Sequence, residues 1–276
     1  MIISHEAKFV FIHIPKCAGT FIRDPLTAID SYDGRFTARV EHHAELGMVD
    51  FVHLPLNTLR QYFPEEFYCV THYESSAVVR DPISRFRSSV SQYLDTQTDR
   101  PLRAHTHKSL RASISELIDK IKRADSRSAL LPHDLIHFQR QVDYLFIDDE
   151  VVIKHVFPLE RCEELFSLSC LRDAALPTIS RAASTQVRND ARVYRGPSVA
   201  VVANLMRRFA PSLAKKLPLN AKHAIRKHLF TERDNVFGEV FQEESIVDFL
   251  SEFYEQDLWF WSKFATTNAA NETKGE

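Results

Sequence analysis

The sequence predicts an α/β fold: a central parallel sheet flanked by helices, with a helix-rich C-terminal half. Three observations predict it. Lys8–Ile14 (KFVFIHI) is a short, apolar, β-rich run that leads straight into a turn of small residues and a helical pattern. The same succession returns at Ser76–Arg80 (SAVVR), where Pro82 opens a second helix. Strands that alternate with helices build parallel sheets, because each helix carries the chain back alongside the previous strand. With 276 residues, 44% apolar and 26% charged, the chain has a globular composition. Its length suits one large domain, placed at 1–264, followed by a polar disordered tail at 265–276.

Taken in order, Lys8–Ile14 is a buried strand and Thr20–Ile29 a helix. Phe67–Thr71 (FYCVT) and Ser76–Arg80 read as a strand pair or one bent strand, from their β-branched and aromatic content. Asp81 is a good N-cap and Pro82 suits the first helical position, so a helix runs to about Leu94. Leu110, Ile114, Leu117, Ile118 and Ile121 share one stripe, which makes Leu110–Ala124 an amphipathic helix. Tyr144–Ile147 and Val151–Phe157 are strands. Glu160–Leu168, Ser198–Phe209, Ala221–Leu229 and Glu243–Phe264 read as helices.

Several function classes drop out. Six glycines do not build a G-x-G-x-x-G dinucleotide loop. A net charge of −2 argues against a general nucleic-acid binder, so no nucleic-acid partner is expected. Cys17, Cys69, Cys162 and Cys170 lack C-x-x-C spacing, which disfavours a zinc ribbon or a redox pair. No secretory leader and no run of about 18 apolar residues is visible, so a cytoplasmic location is expected. Charge is uneven: residues 191–230 hold nine Lys/Arg and no acid, and residues 231–276 hold three Lys/Arg against 11 Asp/Glu. The basic stretch 191–230 offers a surface to an anionic acceptor or a membrane, although Val199, Val202, Leu205, Met206 and Phe209 are spaced for core packing first.

Two segments carry chemistry. Ile14-Pro15-Lys16-Cys17-Ala18-Gly19-Thr20 joins a strand to a helix, the place where α/β proteins bind phosphate. Pro15 stiffens the turn, Ala18 and Gly19 let backbone amides approach an anion, Thr20 adds a hydroxyl and Lys16 a cation. The lysine precedes the glycine, unlike the order in G-x-x-x-x-G-K-[ST]. The second segment, VVRDPISRFRSS, sets Arg80 before a helix start and Arg85 and Ser88 on one helix face. Arg80, Ser88 and the helix end form a phosphate clamp; the bland alternative makes Arg80 and Arg85 ion-pair ties from helix to sheet.

FIHIPKCAGT followed by AVVRDPISRFRSSVSQY resembles the two cofactor motifs of sulfotransferases that use 3′-phosphoadenosine-5′-phosphosulfate (PAPS). The similarity is greatest to the membrane-type carbohydrate branch and its bacterial relatives. His53-Leu54-Pro55-Leu56, Gln141-x-x-Tyr144-Leu145 and Tyr254-x-x-Asp257 are weaker echoes of the same family. The loop has Cys17 where many relatives have Thr, Val52 stands where Gly is frequent, and Phe21 where a second hydroxyl residue is frequent. The resemblance implies a phosphate-loop-like sulfotransferase fold and PAPS as co-substrate. It implies that the loop residues Pro15, Lys16, Cys17, Ala18, Gly19, Thr20 and Phe21 bind the 5′-phosphosulfate, and that Arg80 and Ser88 bind the 3′-phosphate. The acceptor it implies is a hydroxyl, of a glycan or glycolipid.

In-line sulfuryl transfer needs positioning and charge stabilisation more than covalent catalysis. Lys16 stabilises the leaving phosphate, and His53, in a loop before Pro55, is the candidate base. No metal is expected, since lysine and arginine carry the counter-charge; His42, His43 and Glu45 are close in sequence but their spacing is unspecific. His13 reads as a packed core residue and His72 as structural. The alternatives are a phosphate-loop nucleotide-dependent kinase and a non-catalytic nucleotide-binding relative.

Overall fold

The computed structural model describes residues 1–37, 40–125, 130–172, 174, 176, 192–194, 230–232 and 238–272. The chain falls into two compact units: residues 1–89, 121–187 and 250–276 form the first, and residues 90–120 and 188–249 the second.

The first unit is built on a four-stranded sheet. Its strands are β1 (Ile2–Ser4), β2 (Phe9–Ile12), β5 (Glu74–Val79) and β8 (His155–Pro158), in the order β1-β2-β5-β8. β2, β5 and β8 run parallel, as expected, with Ile12 opposite Ala77 and Val79 opposite Pro158. β1 adds an antiparallel edge that the sequence reading missed, because a three-residue strand carries no periodicity. β2 is buried on both faces, which is why it reads as an unbroken apolar run. The helix α1 (Gly19–Leu26) follows β2. Between β2 and β5 come a hairpin of β3 (Val40–His43) and β4 (Gly47–Asp50), then α2 (Leu56–Tyr62) and α3 (Pro64–His72).

Phe67–Thr71 is helix, not strand: it lies inside α3. Pro64 at the first turn and the acids Glu65 and Glu66 behind it are helix-start signals, and they outweigh the β-type composition of FYCVT. β5 is followed at once by α4 (Pro82–Thr96), capped by the Asp81 carboxylate, which accepts the Ser84 amide at 2.7 Å. The helix α5 (His107–Asp125) buries Leu110, Ile114, Leu117 and Ile121, the stripe read from sequence. Of Tyr144–Ile147 only β6 (Phe146–Ile147) is strand; it pairs with β7 (Glu150–Val151), and Val142–Tyr144 is a 3₁₀ turn. Leu159–Ser167 is 3₁₀ rather than α-helical.

In the second unit β9 (Arg192–Tyr194) pairs antiparallel with β10 (Phe230–Glu232), and Arg111 meets Glu243 at 2.6 Å. The expected helices Ser198–Phe209 and Ala221–Leu229, and nearly all of the basic stretch 191–230, lie outside the described residues. The last predicted helix divides into α6 (Glu244–Phe253) and α7 (Glu255–Glu272). α7 continues past Phe264, so helix occupies most of the span expected to be a disordered tail. Among the described residues no helix is long and apolar enough to cross a membrane.

Candidate active site

The loop after β2 is shaped by two residues in the left-handed region, Lys16 (φ 65°) and Ala18 (φ 56°). Neither is glycine, and each such residue costs about 1–3 kcal/mol that its surroundings must offset. The anchor is Cys17 between them. Its side chain is buried and its thiol points inward, 3.4 Å from the Gln141 Oε1. Burial pushes this thiol up to about 12, so it stays protonated. The loop then enters α1, where Ile22 donates to the Ala18 carbonyl at 3.2 Å. That first turn leaves the Gly19, Thr20 and Phe21 amides without an acceptor inside the helix, at its positive end. Thr20 is exposed there, and Lys16 and Phe21 are half-buried. Gly19 has a strict reason for its size: a Cβ at this position would fall 1.7 Å from the His13 Nε2.

The second turn, at Arg80, stands beside the first because β2 and β5 are adjacent and parallel. One side chain joins them. The Gln141 Oε1 accepts the Arg80 amide at 2.9 Å as well as the Cys17 thiol, and the Gln141 Nε2 donates to the Arg80 carbonyl at 2.9 Å. Gln141 is itself fixed from α7: its backbone amide donates to the Asp257 Oδ2 and that of Val142 to the Asp257 Oδ1, both at 2.9 Å. Tyr254 donates to the Phe138 carbonyl at 2.7 Å. Ser88 is half-buried on α4.

Arg85 takes the structural alternative. It is fully buried, donating from Nη1 to the His137 carbonyl (3.2 Å) and from Nη2 to the Gln139 carbonyl (2.8 Å). It also lies 3.7 Å from the Asp257 carboxylate and over the Tyr254 ring. Burial pushes the Asp257 carboxyl above its ordinary range, opposed by the Arg85 guanidinium and the two backbone amides. These contacts tie α4 and α7 to the 137–142 segment.

A second cluster surrounds His53. Asp50, at the end of β4, accepts the Val52 amide on its carboxylate (2.9 Å) and the His53 amide on its carbonyl (3.1 Å). That turn sets His53 in a buried position, where its Nδ1–H donates to the His13 carbonyl at 2.9 Å. The bond fixes the tautomer and leaves the lone pair on Nε2. The ring stands edge-on to His13 (centroids 4.4 Å apart) and to His137 (5.3 Å). Ligand atoms of Asp50, His53 and His137 lie within 4.8 Å of one another. Burial, then the neighbouring His137, pushes the His53 imidazole well below 6.5, so it is neutral at pH 7. His13 is depressed likewise, by burial first and His53 second, and its buried Nδ1 has no hydrogen-bond partner among the described residues. A neutral imidazole with a fixed tautomer and a carboxylate nearby can take a proton at Nε2 and have the resulting charge stabilised.

A family model described as "Sulfotransferase family" matches residues 1–262. The chain belongs to the sulfotransferase family. No curated protein and no solved structure matches it closely. Within this sulfotransferase the turns expected to lie together, 15–20 and 80–88, meet at Cys17 and Arg80 through Gln141. The Cys17 side chain turns away from the loop's outer face, so any contact it makes with a ligand is through its backbone. His42 and His43 lie on β3, apart from the His53 cluster. Sequence reasoning missed Asp50 and His137 as neighbours of His53. The Asp50-x-x-His53 spacing was a usable signal for the first, while nothing local pointed to His137.

Proposed function

We propose that this sulfotransferase moves a sulfuryl group from PAPS to a hydroxyl of a carbohydrate or glycoconjugate. The observation that supports the donor reading most is the Gln141 side chain, which holds the Cys17 loop and the Arg80 turn side by side at the carboxyl ends of β2 and β5. The donor set suits an adenosine ligand bearing anions at two positions. Lys16, the Thr20 hydroxyl and the amides at the start of α1 serve one anion; Arg80 and Ser88 serve the other. PAPS supplies the activated sulfuryl group and a phosphate leaving group.

Lys16 holds positive charge where the leaving oxygen gains negative charge. His53 accepts the acceptor's proton at Nε2 while its Nδ1–H stays on the His13 carbonyl. Asp50 stabilises the imidazolium. Glycans and glycolipids are the proposed acceptors.

Thermal-shift titration with adenosine 3′,5′-bisphosphate against ATP with Mg²⁺, followed by transfer of radiolabelled sulfate from PAPS to a panel of glycans, lipids and alcohols, tests the proposal. Stabilisation by the bisphosphate and label on a hydroxyl acceptor is the expected outcome. Stabilisation by ATP–Mg²⁺ alone would favour a kinase and overturn it.

A further inference from the structure

We infer that Asp50, His53 and His137 form a binding site for a divalent transition-metal ion, and that an ion held there occupies the His53 lone pair needed for proton transfer. Ion binding stands independently of the sulfuryl-transfer reading. Its effect on turnover rests on that reading.

Three features carry the inference. First, the three ligand atoms come from separate segments — the end of β4, the bend after it and the 3₁₀ turn at Ile136–Phe138 — yet lie within 4.8 Å of one another. Ligands on one zinc ion, with bonds of about 2.0–2.1 Å, sit roughly 3.3 Å apart, so small side-chain rotations close the set. Second, two of the ligands are oriented by bonds outside the cluster, and the backbone that carries the third is held. His53 Nδ1–H is on the His13 carbonyl (2.9 Å), the outer-shell contact typical of a metal-bound imidazole. The Asp50 carboxylate is steered by the Val52 amide at 2.9 Å. The His137 carbonyl is pinned by Arg85 (3.2 Å) and by the Ser89 hydroxyl (2.8 Å), which fixes where its ring starts. Third, the donor chemistry is selective. Two imidazoles and one carboxylate favour zinc, cobalt, nickel or copper over magnesium or calcium, and three protein ligands leave a position for water.

The ion and the proton compete for one lone pair. With Nδ1–H committed to the His13 carbonyl, a metal can reach His53 only at Nε2, the atom assigned to the acceptor's proton. The site is therefore an inhibitory one, in which chelation and turnover exclude each other.

Cobalt titration of the intact chain tests the binding. Visible d–d absorption should saturate at one ion per chain. Binding should weaken about tenfold or more in His137→Ala and in Asp50→Asn. Asp50→Asn keeps an oxygen for the Val52 amide and guards against a His137 variant that does not fold. No d–d bands, or bands equally strong in both variants, would overturn the site. Zinc should move the nitrogen NMR signal of His53 Nε2, slow sulfate transfer by at least about tenfold, and lose its effect on adding EDTA. A Nε2 signal that zinc leaves in place, or transfer that zinc leaves unchanged or raises, would overturn the competition. A chain that transfers no sulfate under any condition would sink the sulfuryl reading, while the cobalt and NMR titrations would still decide the ion site.

Discussion

A single methyl group at position 19 has nowhere to go, since its carbon would lie 1.7 Å from the His13 ring. Gly19→Ala should cost about 1–3 kcal/mol in urea unfolding, the usual range for overpacking. His13→Ala should relieve the clash, so the double variant should recover part of that loss, a coupling that a double-mutant cycle reads directly. In the proposed mechanism Lys16 acts through charge instead of shape. Its replacement by alanine should lower kcat for sulfate transfer by about 10²–10³-fold, the range for losing one transition-state donor, with little change in melting temperature. His53 bears on the pH profile. In the proposed mechanism the active form is the neutral imidazole, and burial, His137, the chain's amino group and Arg23 all depress it, opposed by the bond to the His13 carbonyl. The acid limb of kcat/KM should therefore lie below pH 6.5, and it should disappear with the activity in His53→Ala.

At the scale of elements, the two strand–turn–helix units were legible from sequence. Their signals are local: an apolar run, a small-residue turn, then a cap and Pro82 at a helix start. At Phe67–Thr71 the β-type side chains point to strand, but the proline and acids ahead of them make the segment part of α3. β1 and the β3–β4 hairpin were too short to declare themselves. The Gln141 and Asp257 contacts that hold the site were visible only as family-like fragments, Gln141-x-x-Tyr144 and Tyr254-x-x-Asp257, since those contacts span 61 to 124 residues. Asp257→Ala should be severe. It leaves the Arg85 guanidinium buried without its carboxylate and strips the Gln141 and Val142 amides of their acceptor, for a loss of about 3–5 kcal/mol by thermal or urea unfolding. Gln141→Leu should be milder for stability and harsher for donor binding. It uncouples the Cys17 loop from the Arg80 turn, which a weaker thermal shift with adenosine 3′,5′-bisphosphate would report.

For the whole molecule the buried histidines contribute to the response to acid, beside the Met1 amino group, which burial lowers to about 5. His13 and His53 are neutral inside the fold at pH values where they would be charged in the unfolded chain. A depressed folded pKa gives stability that is full above about pH 6.5 and falls as pH drops from there toward the folded values. Each histidine contributes a slope of up to about 1.4 kcal/mol per pH unit. Melting temperature measured with a chelator present should thus decline below pH 6.5, and His13→Asn should reduce that decline. Finally, Asp257 reaches back to Gln141 across 116 residues of chain. On the ribosome the early strands and both turns emerge long before that carboxylate exists, so the proposed donor site should stay incomplete in the nascent polypeptide until α7 has left the exit tunnel.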